Sequence, residues 1–91
     1  MKAIWIKASG ETKYVEPKNG KDFKLDELQG FVGGYIEVVD VLTGAPKGSI
    51  MIVNEEGKLK GLPYNGIASA MVGFLDAIVG DVLVCDREMV K

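Results

Sequence analysis

Ser49-Ile50-Met51-Ile52-Val53-Asn54-Glu55-Glu56-Gly57-Lys58-Leu59-Lys60-Gly61-Leu62-Pro63-Tyr64-Asn65 decides the fold class. Ser49 to Asn54 reads as a strand that is apolar on both faces. Glu55 to Lys58 turns it into a short partner at Leu59-Lys60, so Met51 to Lys60 is expected to form a hairpin. Gly61 to Asn65 then crowds Gly, Pro, an aromatic and an amide together between regular elements. A short apolar helix, Gly66 to Val72, follows. Its stripe is Ile67, Ala70, Met71 and Phe74, Asn65 is placed to cap it, and Gly73 ends it.

Upstream, Lys2 to Lys7 is a strand apolar on both faces, which suits an interior position. Ser9-Gly10 turns it, and Glu11 to Glu16 returns as an edge strand stopped by Pro17. Phe23 anchors the polar connection that follows. Leu25, Leu28, Phe31 and Val32 stripe a helix over Leu25 to Val32, which Gly33-Gly34 terminates. Lys24 stands where a capping Ser or Thr would be expected. Tyr35 to Leu42 is a strand, and Thr43 to Gly48 is a loop. Downstream, Gly80 predicts a bulge or a close backbone approach before a final strand, Asp81 to Asp86. The tail from Arg87 to Lys91 is expected to fray. Two helices are too few for a doubly wound sheet. The expected fold is a single small α+β domain over residues 1–91, mainly an antiparallel sheet of about five to six strands with two short helices.

Composition narrows the function. The 91 residues leave no room for a second core, and a 47% apolar fraction is ample for one. Thirteen acids against 11 bases give a net charge of −2, which argues against duplex nucleic acid as the main partner. No signal peptide or membrane-spanning run is present, so the expected location is the cytoplasm of a bacterial host cell. The single cysteine, Cys85, lies in a strand-like run and reads as a small buried hydrophobe.

With one cysteine and no histidine, the chain lacks a tetrahedral nitrogen or sulfur metal set and the usual general base. Glu55 and Glu56 are adjacent turn residues that point apart. Asp76 and Asp81 have no cation-loop signature. Gly57 to Gly61 is not a phosphate-binding loop pattern, and no cofactor is expected. The helix entry at Gly61 to Gly66 is the better candidate site. Free N–H groups at a helix start favour an anion. Asn65 and Asn54 offer amide readout, Tyr64 a stacking face, and Lys58 and Lys60 positive charge. The bland alternative is that Pro63 fixes the turn, Asn65 caps the helix and Tyr64 packs.

Asn54 to Asn65, and again Ile78-Val79-Gly80-Asp81-Val82-Leu83-Val84, resemble a domain-of-unknown-function family of small proteins from phages, plasmids and gut bacteria. Its members share N-E-E-G-K, then G-L-P-x-N, a short helix containing A-S/T-A, and I-V-G-D-x-L-V. Met1 to Ile4 and Val32 to Glu37 also resemble it. Many relatives carry a basic residue after the Asn, where this chain has Gly66. The resemblance implies no reaction. By analogy of origin and size it implies a non-enzymatic sponge that sequesters a cyclic-nucleotide or ADP-ribose type immune signal. The alternatives are an anti-defence protein that inhibits a host protein directly, using Trp5, Tyr14 and Tyr35 as an exposed hot spot, and a housekeeping phage or plasmid regulator. The expected ligand site is Asn54, Lys58, Lys60, Gly61, Tyr64, Asn65 and Gly66, binding a small anionic, nucleotide-like ligand. A homo-oligomer, dimer or dimer of dimers, is expected because short helices leave apolar strand faces to cover.

Overall fold

The computed structural model describes residues 3–90. Lys2, expected to open the first strand, and Lys91, at the end of the tail, lie outside them. The chain runs β1 (Ala3–Ile6), β2 (Thr12–Val15), α1 (Leu25–Val32), β3 (Ile36–Asp40), β4 (Ser49–Asn54), α2 (Gly66–Met71) and β5 (Val82–Asp86). A 3-10 turn, Arg87–Met89, follows. The strands form one antiparallel sheet in the order β2-β1-β5-β4-β3. This is the α+β domain that the sequence predicts.

Both faces of the sheet carry apolar residues because β1, β4 and β5 are interior strands. Ala3, Ile50, Ile52, Leu83 and Cys85 pack on one face with Phe23, Leu28, Val32 and Met89. Here α1 is the cover. Lys24 has no acceptor with which to cap that helix, so only the reciprocal half of a capping box forms. The Glu27 carboxylate accepts the N–H of Lys24 and that of Lys18, each at 2.9 Å. Gly33 ends α1 in the left-handed region at φ +81°. On the opposite face Ile6, Met51, Val53, Val82 and Val84 pack with Ala68, Met71 and Val72 of α2 and its end.

Four expectations are corrected. Leu59-Lys60 is not a strand; residues 55–61 form successive turns, and Leu59 is 89% exposed. The reason is topological: β4 already pairs with β3 on one side and β5 on the other. No edge is left for a return strand. The α2 stripe is rotated: Ala68, Ser69 and Met71 are buried, whereas Ile67 and Phe74 are exposed. Leu25, expected in the α1 stripe, is exposed too. The tail does not fray through Val90. Met89 is buried, and Phe23 N–H donates to Met89 O at 2.8 Å beside a Phe23–Val90 bridge.

Candidate functional site

The expected site residues fall in several places. Asn65 is 1% exposed and faces inward. Its Nδ2 donates to the carbonyls of Ile6 (3.1 Å) and Gly80 (2.9 Å), and its Oδ1 accepts the Ala68 N–H (3.0 Å). Both amide hydrogens are therefore used, and the amide edge is closed to a ligand. The loop around it is clamped as well. Gly80 N–H donates to Pro63 O at 2.7 Å, and Asn65 N–H donates to Ile78 O at 2.8 Å. α2 has only six residues, and Asn65 already takes the Ala68 N–H from its first turn. The helix start thus offers an anion less than its sequence suggests.

Asn54 is buried; its Nδ2 donates to Val32 O at 3.1 Å and its Oδ1 accepts the Glu56 N–H at 2.8 Å. It meets Lys60 at Gly34. A Cβ placed on Gly34 would lie 3.0 Å from Asn54 Nδ2 and 3.3 Å from Lys60 Nζ. Lys60 therefore sits by the end of α1, where the helix dipole favours a cation, with Glu56 Oε1 at 3.7 Å. Lys58 pairs with Asp76, and that hydrogen bond is the main reason the Asp76 carboxyl is held below its ordinary value. Tyr64 is half-exposed, with its ring over Gly66: a Cβ there would meet Tyr64 Cε2 at 3.6 Å. Gly61, at φ +65°, closes the preceding turn.

Trp5 is not the exposed anchor expected of a hot spot. It is partly buried, its indole N–H donates to Phe31 O at 3.0 Å, and its ring meets that of Phe31 edge-on at 5.4 Å. Tyr14 and Tyr35 are exposed. Cys85 is buried, and desolvation, with a smaller contribution from Asp86, pushes its thiol up to about 11. Among the described residues no group of three His, Cys, Asp or Glu could hold a metal ion, and no helix is long and apolar enough to cross a membrane.

A sizeable concavity lies elsewhere. It is a groove of about 560 Å³ on the α2 face of the sheet. Register places Tyr14, Ile4 and Val84 in one row across β2, β1 and β5, with Thr12 and Ile6 in the next row. Asp86 and Ser49 are paired at the end of β5 and β4. Ile67 and Met71 of α2, with Gly44, Ala45 and Pro46 of the β3–β4 loop, form the opposite wall. Gly44 has φ +86°, and a Cβ there would come within 3.3 Å of Met71, so the loop can lie this close to α2. The sequence did carry a sign of this groove: strands apolar on both faces, and one helix too short to cover its face.

The model of the domain of unknown function DUF3846 matches residues 1–89. The chain belongs to the DUF3846 family. No curated protein and no solved structure matches this member of it.

Proposed function

We propose that this DUF3846 domain is a non-enzymatic binding protein and that its ligand seat is the groove between α2 and strands β1, β2 and β5. The observation that carries this reading is the groove's size and lining. About 560 Å³ falls within the roughly 300–1,000 Å³ of small-molecule sites, and mostly apolar walls with a few hydroxyls and one carboxylate suit a compact, largely apolar molecule. The lining has no Cys–His, Ser–His or paired-carboxylate arrangement with which to activate a nucleophile. Mass spectrometry of molecules retained by the native protein, followed by titration of the molecule found, tests the reading. Ile67→Trp, which fills the groove from an exposed helix position, should weaken binding at least tenfold with an unchanged melting temperature. Unchanged affinity in that variant removes the groove as the seat.

A second reading keeps the anionic ligand. Lys60, Tyr35, Gln29 and Gly34 line a shallow recess of about 160 Å³, which joins a lysine to an aromatic ring. Such a surface can hold a base and a phosphate on one side only. It supports the phage-type nucleotide sponge less well than the groove supports an apolar ligand. Calorimetry with cyclic dinucleotides and ADP-ribose decides: micromolar affinity that is lost in Tyr35→Ala and Lys60→Ala favours the sponge.

Self-association belongs to the same proposal. Leu42, Phe74 and Leu75 are all exposed, and a Cβ on Gly73 would touch Leu42 at 3.1 Å and Leu75 at 4.0 Å. Contiguous apolar surface of this kind favours burial against a second copy.

A further inference from the structure

The sheet ends in two edge strands, β2 and β3, and they are not alike. β2 is short, carries Lys13 and is soon followed by Pro17, features that discourage pairing with another chain. β3, Ile36-Glu37-Val38-Val39-Asp40, has neither lysine nor proline. Glu55 N–H donates to Tyr35 O at 2.9 Å. Antiparallel alternation then turns the main-chain groups of Glu37 and Val39 toward β4 and those of Ile36, Val38 and Asp40 outward. Val38 is 46% exposed. The two sides of this edge differ in chemistry. On the α1 side stand Ile36 and Val38, with Asp40 already paired to Arg87. On the α2 side lies a recess of about 140 Å³, with Val39 and Val53 in its wall and Glu37, Glu55, Asp76 and Lys58 around them. That is well below the roughly 300–1,000 Å³ of a small-molecule site, so the recess suits a side chain rather than a whole molecule. Its one lysine, Lys58, is bound to Asp76, which leaves Glu37 and Glu55 to set the sign of the recess.

We propose that β3 is a docking edge for an extended segment of another protein in which apolar and basic residues alternate. The segment lies antiparallel to β3 and continues the sheet. Main-chain hydrogen bonds to Ile36, Val38 and Asp40 hold it. Its apolar side chains run along Ile36 and Val38, and a lysine or arginine on the other side reaches the recess at Glu37 and Glu55. Strand addition of this kind takes affinity from the ladder and selectivity from pockets for alternate side chains. A cation that meets a carboxylate there makes a charge-assisted hydrogen bond, stronger than a neutral one. A second copy of β3 fits worse, because the charges it brings are Glu37 and Asp40, acids set against acids. The recess shares no lining residue with the groove, so the docking edge does not depend on the groove being a ligand seat.

The test titrates fluorescent heptapeptides into the full chain and reads anisotropy at pH 7. The first is Val-Lys-Val-Lys-Val-Lys-Val with both ends blocked; two others carry Gln or Glu in place of every Lys. The Lys peptide should bind at least about tenfold more tightly than the Gln peptide at low salt, the Glu peptide most weakly, and the gap should shrink at about 0.5 M salt. Methylating the valine nitrogens, which face β3 in this register, should weaken the Lys peptide at least about tenfold. Val38→Pro removes an outward N–H, which an edge strand tolerates, and should weaken the Lys and Gln peptides alike. Should that variant fail to fold, the methylated peptide decides this arm by itself. The double change Glu37→Gln and Glu55→Gln should bring the Lys peptide to the affinity of the Gln peptide, whose own affinity should not change. Equal binding of the Lys and Gln peptides by the parent chain overturns the basic partner. Full affinity of the methylated peptide overturns strand pairing. A parent dimer that Val38→Pro splits assigns the edge to a second copy and overturns the peptide as its occupant. No binding of the Lys peptide up to millimolar concentration overturns the docking edge.

Discussion

Asn65 and Gly80 are joined by a 2.9 Å hydrogen bond from the Asn65 side-chain amide to the Gly80 carbonyl. The same nitrogen reaches Ile6 O at 3.1 Å, so a single buried side chain ties the α2 entry to the end of β1 and the start of β5. Asn65→Ala should cost about 2–4 kcal/mol in urea unfolding, because it strands two buried carbonyls as well as the Ala68 N–H. A helix cap alone is worth about 1 kcal/mol. Asn65→Asp separates the two contributions: it keeps the cap acceptor and loses both donors. A loss near that of Ala identifies the strand ties as the larger part, whereas near-parental stability would reduce Asn65 to a cap.

Gly80 has a second constraint. Its φ is +78°, and an added Cβ would lie 2.8 Å from Leu62 Cδ1. Gly80→Ala should destabilise by at least about 1–2 kcal/mol from the left-handed backbone alone. Gly57→Ala would place its Cβ 2.8 Å from Val79 Cγ2 without that backbone penalty. It should cost less, since both added methyls meet the far end of a side chain at the same distance and only Gly80 carries the backbone penalty. Reversal of this order in chemical unfolding would contradict the account.

Phe74 is the one non-glycine residue at positive φ among those described, at +57°, and it is 68% exposed. Phe74→Gly should raise monomer stability by about 1 kcal/mol by removing that strain. The same change should weaken self-association, because it deletes apolar surface beside Leu42 and Leu75. Light scattering across a dilution series reads the second effect. A parent chain that remains monomeric up to high micromolar concentration rejects the association.

Glu27 has a pH signature. Hydrogen bonds from the Lys24 and Lys18 N–H groups, in that order, hold its carboxyl below the ordinary value. A carboxylate whose pKa is lower in the folded chain adds stability above its unfolded pKa and loses it as pH falls through the folded one. Glu27→Gln should therefore lower the melting temperature near neutral pH, and the gap should close below the usual carboxylate range. A gap that is constant from pH 7 to pH 3 would assign the loss to packing instead.

Cys85 should be inert. Burial and a thiol pKa of about 11 leave little thiolate at pH 8. Labelling by a thiol reagent should follow global unfolding and accelerate with denaturant. Rapid labelling of the native chain would show that β5 opens locally.

Local chemistry was legible in the sequence. The bounds of α1 at Leu25–Val32 and of β4 at Ser49–Asn54, the edge at β2 before Pro17, the stop at Gly33 and the cap at Asn65 all follow from residues close in the chain. So did the fold class, since apolar alternation and turn residues are properties of single segments. Of the groove only the uncovered apolar strand face was legible; its lining was not, because four strands, a loop and a helix supply it and periodicity does not say what covers an apolar face. Asn65 shows the same boundary in one residue. Its cap bond spans three positions and was expected, whereas its other partners lie 15 and 59 positions away. Only the sheet order brings those carbonyls to it, and that turns an amide that read as open to a ligand into a buried tie.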